Sequence, residues 1–299
     1  GKKVLVMAKN FRFRALSENP RERLAVAESF APSVIASLPV KAATGEAVIV
    51  DATDFVVRDA TNAAGRLGGG KANYKVDKTR SALWLERTKA FPDNSEVEVL
   101  LTFTSSKPSS EVSRAANGKA VSLRQHHSFI RLPDSEYKTR QFDPRVGYSG
   151  PRFQDYATPI GESMHKHYIA RHRLVKKNPK EPVSDPVEPI IYYLDPGTPE
   201  PVRSALKEGA MWWADAFVAA GFRNAFQVEI LPADADPMDV RYNMIHWVHR
   251  RTRGWSYGAS ISDPRTGEII KGNVLLGSLR VRQDHMKFIG LQSPYSDQG

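Results

Sequence analysis

Short apolar runs separated by turn residues fill the first half of the chain, at residues 4–8, 24–29, 33–40, 47–52, 97–103 and 121–132. Most are rich in β-branched or aromatic side chains and short enough to be strands. Glu96-Val97-Glu98-Val99-Leu100 alternates polar and apolar, the pattern of a strand with one wet face, and Pro92-Asp93-Asn94-Ser95 before it is a turn cluster. These runs predict a mainly antiparallel sheet with one or two helices. Residues 133–162 scatter Pro144, Gly147, Gly150, Pro151, Pro159 and Gly161 among charges and aromatics, which reads as a long ordered excursion or linker. A second proline-rich stretch, residues 178–189, marks the expected boundary between an amino-terminal domain at 1–180 and a second domain at 181–299.

The second half opens with Ile190-Ile191-Tyr192-Tyr193-Leu194, an apolar run of buried-strand length. A helix is expected next, capped by Thr198, with Pro199 at its first position, Glu200 at its positive end and Gly221 as its left-handed terminator. Val202, Ala205, Leu206, Gly209, Trp213, Ala216, Phe217 and Ala220 fall on one stripe at helical spacing, the face expected to cover a sheet. Residues 226–230 then alternate as a strand, completing a strand, helix, strand unit, and residues 239–248 supply another strand. Residues 255–262 and 268–276 read as the arms of a hairpin around Asp263-Pro264-Arg265-Thr266-Gly267, and a short helix is expected over 278–291. The fold class expected is therefore α+β.

Composition narrows the chemistry. In 299 residues there is no cysteine, so disulfides, thiolate metal sites and cysteine nucleophiles are excluded. The 43 Lys and Arg against 33 Asp and Glu leave a charge of +10, which favours weak attraction to polyanions. No stretch approaches the ~20 apolar residues of a membrane span, and Gly1-Lys2-Lys3 before residues 4–8 is too short for a secretory apolar region.

Several clusters invite a sharper reading and lose it in context. Gly65-Arg66-Leu67-Gly68-Gly69-Gly70-Lys71 has phosphate-loop spacing, but Ala72 stands where a hydroxyl should meet magnesium, so a flexible glycine loop is expected. His165 and His167, with His172 or Glu162, could ligate zinc. The surrounding Lys166, Arg171, Arg173, Lys176, Lys177 and Lys180 favour a solvated basic strand instead. That strand could engage an acidic partner; no aromatic-rich RNA signature accompanies it, so nucleic acid is not expected. His246 and His249 lie three apart near a strand end and face opposite ways, and Asp51, Asp54 and Asp59 match no calcium loop and are expected at solvated strand ends. None of the eight histidines belongs to a His-Glu-x-x-His pattern, and no Gly-x-Ser-x-Gly elbow is present.

One longer match remains. The stretch Trp255-Ser256-Tyr257-Gly258-Ala259-Ser260-Ile261-Ser262-Asp263-Pro264-Arg265-Thr266-Gly267-Glu268, continuing through Lys271-Gly272-Asn273-Val274 to Gly277-Ser278-Leu279-Arg280, resembles the segment before the active-site helix of bacterial zinc-dependent metalloproteases of metzincin type. Pro189-Ile190-Ile191-Tyr192-Tyr193-Leu194-Asp195, Ala210-Met211-Trp212-Trp213 and Ala220-Gly221-Phe222 are similar to that family's first strand and helix. Val50-Asp51-Ala52-Thr53, Lys78-Thr79-Arg80-Ser81 and Ala90-Phe91-Pro92-Asp93-Asn94-Ser95-Glu96 resemble its amino-terminal domain of unknown function. The resemblance implies a mixed sheet with a backing helix, zinc in the parent protein, a peptide or protein substrate, and a periplasmic or extracellular location. It also implies that the zinc-binding helix follows the point where this sequence stops. No catalytic residue, metal ligand or bound cofactor is therefore expected in these residues, and the chain is expected to be inactive alone. What it can still supply is a substrate-aligning edge strand: Tyr257, Gly258, Ala259, Ser260 and Ile261 are the residues expected to hold an extended peptide.

Overall fold

The computed structural model describes residues 2–112, 115–250 and 255–292. Contacts divide the chain into two compact units, Gly1–Arg131 with Gln154–Met164, and Leu132–Phe153 with His165–Gly299. The backbone thus changes unit after Arg131, Phe153 and Met164, and residues 165–180 pack with the second unit.

The first unit contains, in chain order, β1 (Lys3–Ala8), β2 (Phe13–Arg14), α1 (Pro20–Ser29), β3 (Ser33–Thr44), β4 (Ala47–Val50), α2 (Thr53–Val56), α3 (Ala63–Gly68), β5 (Lys75–Leu83), β6 (Lys89–Ala90), β7 (Asn94–Thr104) and β8 (Ala120–Ile130). β9 (Arg152–Asp155) lies at the second change of unit. β1, β3 and β4 make an antiparallel ribbon, and β7 pairs antiparallel with β5, β6 and β8. Val99, Leu101 and Phe103 on one face of β7 are buried against Val56, Val57, Tyr74, Val112 and Val121.

Four expectations for this unit need correction. Residues 24–29 form the end of a helix, not a strand. Leu24 and Val26, two apart, imitate strand alternation, whereas Asn19 Oδ1 accepts the Arg21 amide at 3.0 Å and Pro20 occupies the first turn. The expected wet face of β7 is buried: Glu96 is held by Asn94, His126 and Ser128, while Glu98 accepts from Arg87 at 3.5 Å and Arg124 at 3.4 Å. Side chains from β8 and the turn before β6 close over these carboxylates, so hydrogen bonding replaces water. The glycine stretch is not a loose loop, since residues through Gly68 are helical and Gly69 and Gly70 take positive φ of 54° and 73° to end the helix. Asp59, expected at a solvated strand end, accepts the Ala63 and Ala64 amides at 2.7 and 2.9 Å and so caps α3.

The second unit contains β10 (His165–His167), β11 (Ile190–Leu194), α4 (Val202–Met211), α5 (Trp213–Ala219), β12 (Phe226–Ile230), β13 (Asn243–Val248), β14 (Tyr257–Ser262), β15 (Ile269–Gly277) and α6 (Ser278–Leu291). Its main sheet has the order β12-β11-β13-β15-β14, with β14 alone antiparallel. Leu194, Val228 and Ile245 form its core beneath Leu206, Ala210 and Met211. The whole is α+β, with antiparallel sheets early and a mixed sheet late.

The backing helix also departs from expectation. It starts at Val202 rather than at Pro199, because a residue before proline is steered out of the helical region and Glu200 precedes Pro201. Thr198 is not its cap: the hydroxyl is buried without a partner. The ladder breaks at Trp212, although that residue keeps helical dihedrals of −58° and −24°. Gly221 does end it, with φ of 86°. Phe217 stacks on Phe226 with ring centroids 5.6 Å apart, but Trp213 is 65% exposed, so the covering stripe runs through Leu206, Ala210, Met211 and Phe217 and leaves Trp213 out.

Candidate functional site

The expected hairpin is present, and its turn explains why. Gly267 has a φ of 82°, and a Cβ there would lie 2.6 Å from the Ile169 carbonyl oxygen, so only glycine fits. Asp263 is fully buried; its carboxylate accepts the Arg265 amide at 2.8 Å and is gripped by the same residue's guanidinium. Arg265 reaches on to the Pro133 carbonyl at 2.7 Å. Glu268 is buried too, paired with Arg173 through contacts of 2.7 and 2.9 Å, and Arg173 also holds Asp134 at 2.7 Å. Backbone bonds from Arg171 to Gly267 and from Ile269 to Arg171 complete the clasp. The hairpin is therefore anchored at its turn.

No strand among the described residues pairs with the outer side of its outer arm. β14 pairs with β15 from Tyr257↔Leu275 to Ser262↔Ile269 and is the last strand in the sheet order. Tyr257, Gly258, Ala259 and Ser260 are exposed, and Ile261 is half-buried. A Cβ built on Gly258 meets nothing within 4 Å, so no packing among the described residues demands a small residue there. Arg250 lies over the Tyr257 ring, 5.3 Å from its centroid, and places a cation at the start of the strand.

The histidines do not converge. His165 is exposed, His167 stacks on Phe142 with centroids 4.1 Å apart, and His172 lies 3.4 Å from the Tyr192 hydroxyl. Burial pushes His167 down and His172 down to about 4, so both stay neutral at physiological pH. The segment is thus only partly the solvated strand expected, because His167 and His172 are half-buried while Lys177 and Lys180 are exposed. His246 faces Asn273 Oδ1 at 3.3 Å while His249 faces the Ser278 hydroxyl at 2.9 Å, so this pair diverges as well. Among the described residues no group of three His, Asp or Glu is placed to hold a metal ion. The described residues do not fit a zinc centre.

The basic segment is partly spent on structure. Arg173 is ion-paired as above, Arg171 donates to the Lys138 carbonyl at 2.6 Å, and Lys176 donates to the carbonyls of Glu181 and Pro182 at 2.9 and 2.7 Å. Half of the six cations thus have internal partners. No helix among the described residues is long and apolar enough to cross a membrane.

A family model for a domain of unknown function matches residues 1–177. The chain belongs to the DUF5117 family. DUF5117 takes in the whole first unit together with residues 132–153 and 165–177 of the second. No curated protein and no solved structure matches the chain. The main sheet of the second unit, with β14 at its edge, lies outside the DUF5117 match.

One feature escaped sequence reasoning. The approach of His172 to Tyr192 beneath α4 joins residues twenty apart with no shared motif, and His172 stood out only as a third metal ligand.

Proposed function

We propose that this DUF5117 chain is the scaffold and substrate-docking part of a zinc-dependent metalloprotease of metzincin type. In this reading β14 accepts an extended peptide as an added strand, through main-chain hydrogen bonds, on the side away from β15. The observation that carries it is the combination at Gly258: an exposed edge strand with a small residue that no packing among the described residues requires. The sequence likeness over residues 255–280 supplies the reaction class. Zinc chemistry belongs to groups other than the described residues, so no bond-breaking step is assigned to them. A periplasmic or extracellular site of action rests on the likeness alone.

The test separates docking from cleavage. This chain, supplied with zinc, should bind an unfolded, peptide-like substrate without hydrolysing it, and proline introduced into β14 should abolish binding. Chelator-sensitive cleavage by this chain would overturn the division of labour, and binding untouched by proline would overturn the edge-strand role.

A further inference from the structure

We propose that the second unit contains a binding site for a neutral, largely apolar small molecule carrying one hydrogen-bonding group. It is the cavity of about 630 Å³ between α4 and the sheet face that bears Tyr192, Ile245 and Val274. That volume lies within the range of small-molecule sites, roughly 300–1,000 Å³. None of the proposed peptide-docking residues lines it, so the two readings stand or fall separately.

The cavity follows from residue sizes. α4 and α5 lie over β12, where Leu206 and Phe217 pack down, and the helix turns its smallest residues to the remaining sheet face. A Cβ built on Gly209 meets nothing within 4 Å, so the roof stands clear of its surroundings. The floor cannot rise to meet it. Tyr192 already lies down on the backbone of Gly272, where any Cβ would fall 2.0 Å from the phenolic oxygen. Trp213 and Tyr148, 65% and 55% exposed, stand at the mouth.

The lining decides the ligand's chemistry. It contains no Asp, Glu, Lys or Arg, so a charged guest would lose its water with no countercharge in return. Its inner polar groups are the His172 imidazole and the Tyr192 hydroxyl, 3.4 Å apart with their rings edge to face. The 3.4 Å contact is long, and a neutral imidazole and a phenol can each both donate and accept. A guest hydroxyl or carbonyl can bond to either, while its hydrocarbon part covers Ile245, Val274 and Leu276. Water alone would leave that apolar wall unsatisfied.

The experiment titrates the whole chain with 2-naphthol, naphthalene and 2-naphthoate at neutral pH, reading tryptophan fluorescence and thermal unfolding. Saturable one-site binding of 2-naphthol is expected, with 2-naphthoate and naphthalene each weaker by about tenfold, the worth of one hydrogen bond or one unpaired charge. Gly209→Leu should abolish binding and keep the fold, since leucine is the better helix former. Should that variant unfold, Ala205→Leu one turn earlier makes the same test. Removing both groups, His172→Phe together with Tyr192→Phe, should bring 2-naphthol down to the affinity of naphthalene. Absence of saturable binding, equal binding of the naphthoate, or binding indifferent to the filling variant would overturn the proposal. The first result would favour a helix or another protein segment as the occupant.

Discussion

The Arg265 guanidinium closes on the Asp263 carboxylate two residues earlier, with Nε 3.0 Å from both oxygens and Nη2 2.6 Å from Oδ2. The carboxylate is fully buried while the arginine side chain is 40% exposed, so the two partners are unequal. Asp263→Ala removes the acceptor of the turn amide and leaves a cation beside a buried wall. It should cost about 3 kcal/mol, the lower part of the range for breaking a buried pair. Arg265→Ala leaves an unpaired buried anion and should cost at least as much. Urea unfolding of both variants checks this, and a loss under about 1 kcal/mol in either would contradict the anchoring role.

Phe217 and Trp213 sit four residues apart on the helical segment and should respond differently to truncation. Phe217 stacks on Phe226 in near-parallel planes, 4° apart, and Phe217→Ala should cost about 3 kcal/mol. Trp213 is 65% exposed at the cavity mouth, and Trp213→Ala should stay within about 1 kcal/mol of the parent. The sequence stripe assigns both residues to one buried face. Equal costs in chemical unfolding would restore that assignment.

Acid should destabilise the second unit through His172. Burial lowers its folded pKa to about 4, from the ordinary imidazole value of about 6.5. Between those values the unfolded chain takes up a proton that the folded chain refuses, so stability is fully present above about pH 6.5 and falls as pH drops towards 4. The full difference is about 3 kcal/mol. Burial also lowers His167 and His246 in the same unit, which bend the curve the same way. His172→Gln should flatten the acid limb; a variant with an unchanged slope would place the titration elsewhere.

Local pattern carried much of the second unit because its signals are short-range. The apolar run at Ile190–Leu194, the Asp263 to Gly267 turn and the helix Ser278–Leu291 each declare themselves within a few residues. β5 gave no such signal: Lys75, Asp77, Lys78 and Arg80 outnumber its apolar positions, and its register is interrupted between Asp77 and Ala82. The strand exists because β7 offers it a partner. The cavity was illegible for a related reason. His172, Tyr192, Gly209 and Val274 meet only when a helix leans over one end of a sheet, which no local periodicity encodes. The edge position of β14 depends likewise on sheet order, while the small residues that suit an edge can be read directly.

The edge strand makes its own prediction, independent of any substrate. In an antiparallel pair successive residues direct their amides alternately towards and away from the partner strand. Within Tyr257–Ser262, amides facing β15 should exchange slowly with deuterium and the alternate ones fast, since no strand among the described residues pairs with the outer side. Proline at Gly258 and at Ala259 therefore tests opposite sides of one strand. The substitution that removes the inward amide breaks a ladder bond and should lower stability, by about 1 kcal/mol from that bond alone. The one that removes the outward amide should leave the sheet intact and eliminate one contact to an added peptide. If an unfolded peptide slows the fast set alone, and the outward proline prevents it, the peptide lies along β14. Uniform protection across the strand without peptide would mean that the edge is already paired, and the docking role would fall with it.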